Sequence, residues 1–360
     1  MPFDINLLPL SIRPTVVRLQ ETIAFSDNIT KGANGYVLIG LNRLLNRMQV
    51  VKFYYWGGGL HIEPALLATL ESQHVLRVDS AEAVDEEDAY FITRYCEGGD
   101  LDDQLRTRTF GPLQAIDTLL QIASGVSYLH GQGYLHRDLK PSNILCAEDS
   151  WVIGDFGSVV LMNNDGFAST QSKHSIIYRP PEDFLANTRY YRQGDVYQLS
   201  IVFYQLLGGK LSYEVDDWLT TAEINHRGKL DDIEGQIFAQ TCIQRRIERG
   251  KVIDFRSLPA IVPDHIVRLI RAACRTDYLR RPSTVADLIT RLNNLRKRTL
   301  DWRIVDGLFQ ITNGGRSFRI VPDGQSWRVQ KMVQAGWKNQ NDLARLAIHE
   351  AVKVVENLVR

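Results

Sequence analysis

The period of the apolar residues changes along the chain, and the changes divide it into segments. From Val16 to Tyr55 short apolar runs dominate: Val16-Val17-Arg18-Leu19, then Ile29 to Leu38 interrupted by Gly32-Ala33-Asn34-Gly35, then Gln49-Val50-Val51-Lys52-Phe53. Runs of this length punctuated by glycine predict strands and hairpins. Ala89 to Cys96 reads as a further strand. From Leu113 to His130 the period becomes helical. Ile116, Leu119, Leu120, Ile122, Ala123, Val126 and Leu129 cover more than one side, which predicts a buried helix. Residues 1–15 carry Pro2, Pro9 and Pro14 around Leu7-Leu8 and predict an N-terminal extended arm.

Residues 299–360 form a separate pattern. Trp302 to Thr312, Ser317 to Val321 and Ser326 to Val329 predict three strands, with Asn313-Gly314-Gly315 and Asp323-Gly324 as hairpin turns. A helix from about Asn341 to Val359 follows, its broad apolar face holding Leu343, Leu346, Ala347, Ala351, Val354, Val355 and Leu358. The expectation is a small α+β module, β-β-β-α. Its five large rings (Trp302, Phe309, Phe318, Trp327, Trp337) exceed what so small a unit easily buries alone. Some should form its core, and the rest could dock on the preceding domain, a partner protein or a second copy.

Composition narrows the classes. At 360 residues and 44% hydrophobic content the chain can bury more than one core. Lys+Arg and Asp+Glu are both 42, so bulk charge argues for neither a nucleic-acid nor a membrane partner. Cys96, Cys146, Cys242 and Cys274 lie far apart with no C-x-x-C, as expected of reduced thiols in a cytoplasmic protein. Met1-Pro2-Phe3-Asp4-Ile5 lacks the basic start of a signal peptide, and no apolar run approaches the roughly 18 residues of a membrane helix.

The chemistry is concentrated in His136-Arg137-Asp138-Leu139-Lys140-Pro141-Ser142-Asn143, followed by Asp155-Phe156-Gly157. These blocks place a proton-handling acid, a carboxamide and a second acid at the spacings that ATP-dependent phosphoryl transfer uses. On them the chain resembles the eukaryotic-type protein kinases, over about residues 16–298. The resemblance implies a bilobal α+β fold, with a β-rich N-lobe carrying helix C (about 16–96) and a mostly helical C-lobe (about 97–298). It implies ATP and Mg²⁺, with Mn²⁺ as an alternative. Asp138 would accept or orient the proton of the substrate hydroxyl, and Asn143 and Asp155 would hold the metal. Lys140 is the Ser/Thr-kinase form and would lie near the γ-phosphate. Ser175 stands where Ser/Thr kinases place a hydroxyl bridging the catalytic Asp and Lys.

The nucleotide side follows from the same resemblance. The glycine-rich pattern aligns on Thr30, Gly32, Gly35 and Val37, with Thr30 replacing the first glycine. Val50 and Lys52 stand for the alanine and lysine of V-A-I-K. Lys52 needs a carboxylate from helix C, and Glu63 or Glu71 could supply it. Counting from Glu63, Leu66, Leu67 and Leu70 and then Val75, Leu76 and Val78 fit helix C and the next strand, whereas Glu71 leaves no room for the helix. Pro64 must then sit in the first helical turn. Thr93 would be the gatekeeper, and Arg94 to Cys96 would offer backbone groups to the adenine. Asp100 would take a ribose hydroxyl or cap the next helix, and Leu145 belongs to the same nucleotide-binding set.

Further residues would be structural or regulatory. Glu182, in the segment Ser175 to Glu182, would pair with Arg281, and Asp195 would hold the catalytic-loop backbone. Arg137 is the residue that in many kinases grips a phosphorylated loop, here through Ser169 or Thr170. A pseudokinase would have lost one of Lys52, Asp138, Asn143 or Asp155, and none is lost. A small-molecule kinase would usually lack the Tyr178–Glu182 segment. The expected function is a protein serine/threonine kinase able to autophosphorylate, acting on protein substrates, with residues 299–360 serving regulation, recruitment or oligomerisation.

Overall fold

The structure, a computed structural model, describes residues 3–29, 35–55, 68–148, 150–169, 175–185, 189–343 and 345–360. The chain forms two compact units, Met1–Leu101 with Ser142–Val159, and Asp102–Pro141 with Val160–Arg360. The division is therefore not a single cut at residue 96, because Ser142–Val159 packs with the N-terminal sheet.

In the first unit five antiparallel strands, β1 (Ile23–Ile29), β2 (Tyr36–Asn42), β3 (Arg47–Tyr55), β4 (Val78–Ala83) and β5 (Asp88–Arg94), lie in the order β1-β2-β3-β5-β4. Strand side chains alternate between faces. One face contributes Leu38, Val51, Phe53 and Tyr90 to a buried cluster that also contains Leu8, Ile12, Val16, Leu19 and Ile23. The N-terminus is thus not an extended arm. Ile5–Leu7 is a single 3₁₀ turn, and Arg13–Leu19 is an α-helix with Pro14 in its first turn. There proline costs nothing, since that N–H has no helical partner in any case. Val16-Val17-Arg18-Leu19, expected as a strand, belongs to this helix, and the first strand is Ile23–Ile29. Short apolar runs do not separate one buried helical turn from a strand. The helix covers the back of the sheet and leaves its other face for the functional residues.

The second unit is mainly helical. Gly111 has extended backbone, Pro112 opens the helix Pro112–Gly131, and eleven of that helix's residues, from Pro112 to His130, are buried. The helix Arg192–Leu206 is buried almost throughout. Asp232–Glu248, Asp264–Ala273 and Val285–Arg296 complete the larger helices before residue 299.

The C-terminal module belongs to this second unit and has five strands, not three. They form a meander in chain order: Trp302–Val305, Leu308–Asn313, Arg316–Asp323, Ser326–Val333 and Gly336–Asn339. Asp306 and Gly307, both at positive φ, split the first expected strand with a two-residue turn. The helix begins at Ile348 rather than near Asn341. Leu346 exchanges two backbone hydrogen bonds with Trp327, and Arg345 sits at φ 63°, so no helix can pass through them. Glu350 accepts the Ala347 N–H at 3.0 Å and starts the helix instead.

Both expectations for the aromatic surface are met in part. Trp302 and Phe318 are buried in the module's own core with Ile311, Ile320, Val329, Ala351 and Val355. That core also takes in Ile261, from the segment before Asp264–Ala273. Trp302 passes so near Gly111 that a Cβ there would lie 1.7 Å from the Trp302 carbonyl oxygen. The module is docked on the helical domain through Trp302. Trp302→Ala should lower stability by about 3–5 kcal/mol, as expected for a fully buried indole. Thermal melting would register this as a clear fall in Tm, and an unchanged Tm would contradict the indole's part in the module's core.

Candidate active site

The composition of the other face of the first unit's sheet is set by register. Val37 lies opposite Lys52, Lys52 opposite Phe91, and Val50 opposite Thr93. Lys52 and Val50, two apart on β3, therefore share a face with Phe91 and Thr93. Thr93 is buried. Gly35, just before β2, has φ 133°, and a Cβ would fall 1.8 Å from the Phe53 carbonyl oxygen. No other residue fits there, so the glycine is required by backbone contact as well as by any ligand. Thr30, Gly32 and Glu63 lie outside the described residues; Glu71 is exposed.

The Lys52 ammonium lies 3.3 Å from Asp155 Oδ1 and 5.6 Å above the Phe91 ring. Asp155 is held in the left-handed region at φ 54°, while Phe156 behind it is buried. This strained backbone is affordable only where the surroundings fix it. They do so through the hairpin Ile144–Ala147/Ser150–Ile153, whose start and end are tied by Gly154 N–H donating to the Asn143 carbonyl at 2.9 Å. Asn143 itself is buried. Leu145 packs with Leu76, Cys96, Ala147 and Val152, and its backbone bridges Asp100. Gly98 donates to Cys146 O and Cys146 to Gly99 O, which anchors the segment after Cys96. Arg94 closes the β3–β5 ladder opposite Gln49, and Tyr95 N–H donates to Met48 O. Cys96, of the expected hinge, and Leu145 thus belong to one packed cluster. Asn143 and Asp155 are hard oxygen donors of the kind that suit Mg²⁺.

In the second unit the catalytic loop hangs on Asp195. Its carboxylate accepts from His136 N and Arg137 N at 2.9 Å each, from His130 Nε2 at 2.6 Å and from Tyr190 Oη at 3.0 Å. Burial pushes this carboxyl up, but His130 and the His136 imidazole and N–H more than offset it and hold it below the usual range. Gln198, one turn further on, donates to Arg137 O and accepts from Leu139 N, both at 2.9 Å. Arg137 is held at φ 71° by these contacts. Asp138 is buried, and Lys140 Nζ donates to its Oδ2 at 2.8 Å.

The remaining structural residues fall in the same unit. Glu182 and Arg281 form a buried bidentate pair, both contacts at 2.7 Å, and Arg281 also donates to Arg275 O and Gln193 O. Tyr178 hydrogen-bonds Gln205 and Tyr213. The Arg137 guanidinium lies 5.9 Å over Tyr190, and burial lowers its pKa while Tyr190, Asp183 and Asp195 oppose the shift. Ser169 and Ser175 are exposed, and Thr170 lies outside the described residues. Among the described residues no hydrogen bond joins the Ser175 hydroxyl to Asp138 or Lys140, which pair directly.

Sequence reasoning missed His130, Tyr190 and Gln198. His130 was a polar residue in an otherwise apolar buried helix, and Gln198 lies three residues after Asp195 on the same helical face. Both signals were present.

A unit built on a five-stranded sheet and a mainly helical unit, carrying this lysine, these two acids and this asparagine, have the make-up of a kinase-type domain. The protein kinase domain family model matches residues 25–292, and the chain belongs to that family. An interferon-induced, double-stranded RNA-activated protein kinase of Mus musculus is 27% identical over 167 residues, 45% of this chain and 30% of its own length. The serine/threonine-protein kinase Nek11 of Homo sapiens is 32% identical over 162 residues, covering 41% of this chain and 25% of that protein. Nek3 of Mus musculus, also a serine/threonine-protein kinase, is 31% identical over 162 residues, 43% of this chain and 31% of its own. The chain thus spans less than a third of the length of these relatives.

Asp195 supplies a test. The folded protein holds it more acidic than the unfolded chain does, so its stabilisation is complete above the unfolded pKa of about 3.9. It is lost as pH falls through the lower folded value. Asp195→Asn should cost about 3 kcal/mol or more at pH 7, because the histidine and backbone donors lose their acceptor. It should also flatten the acid limb of the stability curve. Urea unfolding of both proteins at pH 7 and at a series of values below the unfolded pKa of about 3.9 measures each effect.

Proposed function

We propose that this protein is a serine/threonine kinase that transfers the γ-phosphoryl group of ATP to hydroxyls of protein substrates, itself included. The observation that carries the hydroxyl preference is the 2.8 Å contact from Lys140 to Asp138. It puts a cation beside the proton acceptor, where it can offset phosphoryl charge during transfer. The two Nek relatives, both serine/threonine-protein kinases by name, support the same reading.

Each residue then has a role. Gly35 brings backbone close to the phosphates, Val37 and Val50 flank the adenine, and Lys52 steadies the α- and β-phosphates. Asp138 receives the hydroxyl proton or orients it for attack. Asn143 and Asp155 would hold Mg²⁺, which when bound neutralises charge on the phosphate oxygens. Glu63 remains the proposed carboxylate partner of Lys52. Four free cysteines support a reducing, cytoplasmic setting, and no helix among the described residues is long and apolar enough to cross a membrane. The C-terminal module is proposed to regulate or recruit.

Incubation with Mg-ATP and radiolabel, followed by phosphosite mapping, tests the activity and the hydroxyl class together. Asp138→Ala should lower kcat by about 10³-fold with the fold intact. Phosphate found mainly on tyrosine, or transfer undiminished in Asp138→Ala, would refute the reading. Glu63→Gln should lower activity while Glu71→Gln leaves it nearly unaltered. The reverse would place the Lys52 partner at Glu71.

A further inference from the structure

The helices Asp264–Ala273 and Val285–Arg296 enclose a groove of about 350 Å³ on the second unit. Its floor is apolar, from Leu269, Ala272 and Leu295, and its rim is cationic. Arg268, Arg291 and Arg298 stand around it with His265 and the carboxamide of Asn294. Arg291 is neutralised by Asp287 at 2.9 Å. Among the described residues neither Arg268 nor Arg298 has a carboxylate within ion-pair distance. Two exposed guanidiniums lining one groove without counter-charges give it a positive potential that favours an anion.

His265 reports the same field. Burial depresses its pKa first, and the charges of Arg298 and Arg268 add to this. Asp264 on its own helix opposes them, and Arg360 from the C-terminal helix reinforces them. The imidazole Nε2 is 3.3 Å from the Thr299 hydroxyl.

We propose that this groove binds a phosphorylated serine or threonine side chain in a peptide, with the phosphoryl group on Arg268 and Arg298 and an adjacent apolar residue on the Leu269–Leu295 floor. Guanidinium forks match phosphate oxygens in bidentate geometry. The volume exceeds what a free phosphate ion fills, and the apolar floor has no use for one. A bare nucleic-acid backbone would likewise leave the floor unmatched. The groove contains none of the phosphoryl-transfer residues, so the proposal stands apart from the kinase reading. It would let the protein hold peptides that already carry phosphate.

The full chain would be titrated calorimetrically with a short leucine-flanked phosphoserine peptide, its unphosphorylated twin, inorganic phosphate and a polyuridine oligonucleotide. The phosphopeptide should bind at least about tenfold tighter than its twin, and inorganic phosphate should compete weakly. Arg268→Gln with Arg298→Gln should abolish that preference while leaving Tm and transfer to an unphosphorylated substrate unchanged. With isotope-labelled histidine, the His265 pKa should rise on adding phosphopeptide, since an anion offsets the arginines. Equal binding of the two peptides, undiminished binding by the double variant, or displacement of phosphopeptide by polyuridine at lower concentration would overturn the proposal.

Discussion

A carboxylate removed from water must be given donors, and Asp195 is given four, from His130, His136, Arg137 and Tyr190. Two of these are backbone N–H groups of the catalytic loop itself. That loop is irregular and carries Arg137 at positive φ, a conformation that a non-glycine residue does not hold without support. Asp195 and Gln198 provide the support from one buried helix, Arg192–Leu206, so the loop inherits the rigidity of that helix. Asp138 is then fixed between a constrained Arg137 and the Gln198-bonded Leu139. Its pairing with Lys140 follows from the same constraint.

The first unit solves a different problem. A sheet has two faces, and only one can serve nucleotide binding. Leu8, Ile12, Val16 and Leu19 cover one, and Lys52, Val50, Phe91 and Thr93 line the opposite one. Asp155 reaches Lys52 because Ser142–Val159 packs with this unit rather than with the helical one. The chain thus crosses between units at Pro141–Ser142, which places Asp138 and Lys140 in one unit and Asn143 and Asp155 in the other.

What was legible in the sequence were the features carried by local chemistry. The catalytic block, D-F-G, Lys52, Asp195 and the Glu182–Arg281 pair could be named because each has a fixed neighbourhood of residue types. The helix Pro112–Gly131 was legible from its long period. What failed was where local pattern is ambiguous. Val16 to Leu19 has four residues, too few to distinguish period 2 from 3.6. Asp306-Gly307 was read through because Asp is not an obvious breaker inside an apolar run, although Asp-Gly is a turn pair. His130 stood out as a polar residue in an apolar helix, but its role could not be named because the partner lies 65 residues away.

The docked module bears on the same constraint from the other side. Trp302 backbone lies against Gly111, the residue before the helix Pro112–Gly131. That helix ends next to His130, which donates to Asp195 at 2.6 Å. A helix of 20 residues is a rod of about 30 Å whose ends move together. Fixing its start by an apolar core that includes Trp302 and Ile261 therefore narrows the positions open to His130. Gly111 tolerates no side chain there, so the contact cannot be loosened by a small local adjustment. The module's packing and the catalytic loop's geometry share one rigid element. That makes residues 299–360 a structural participant in the helical unit.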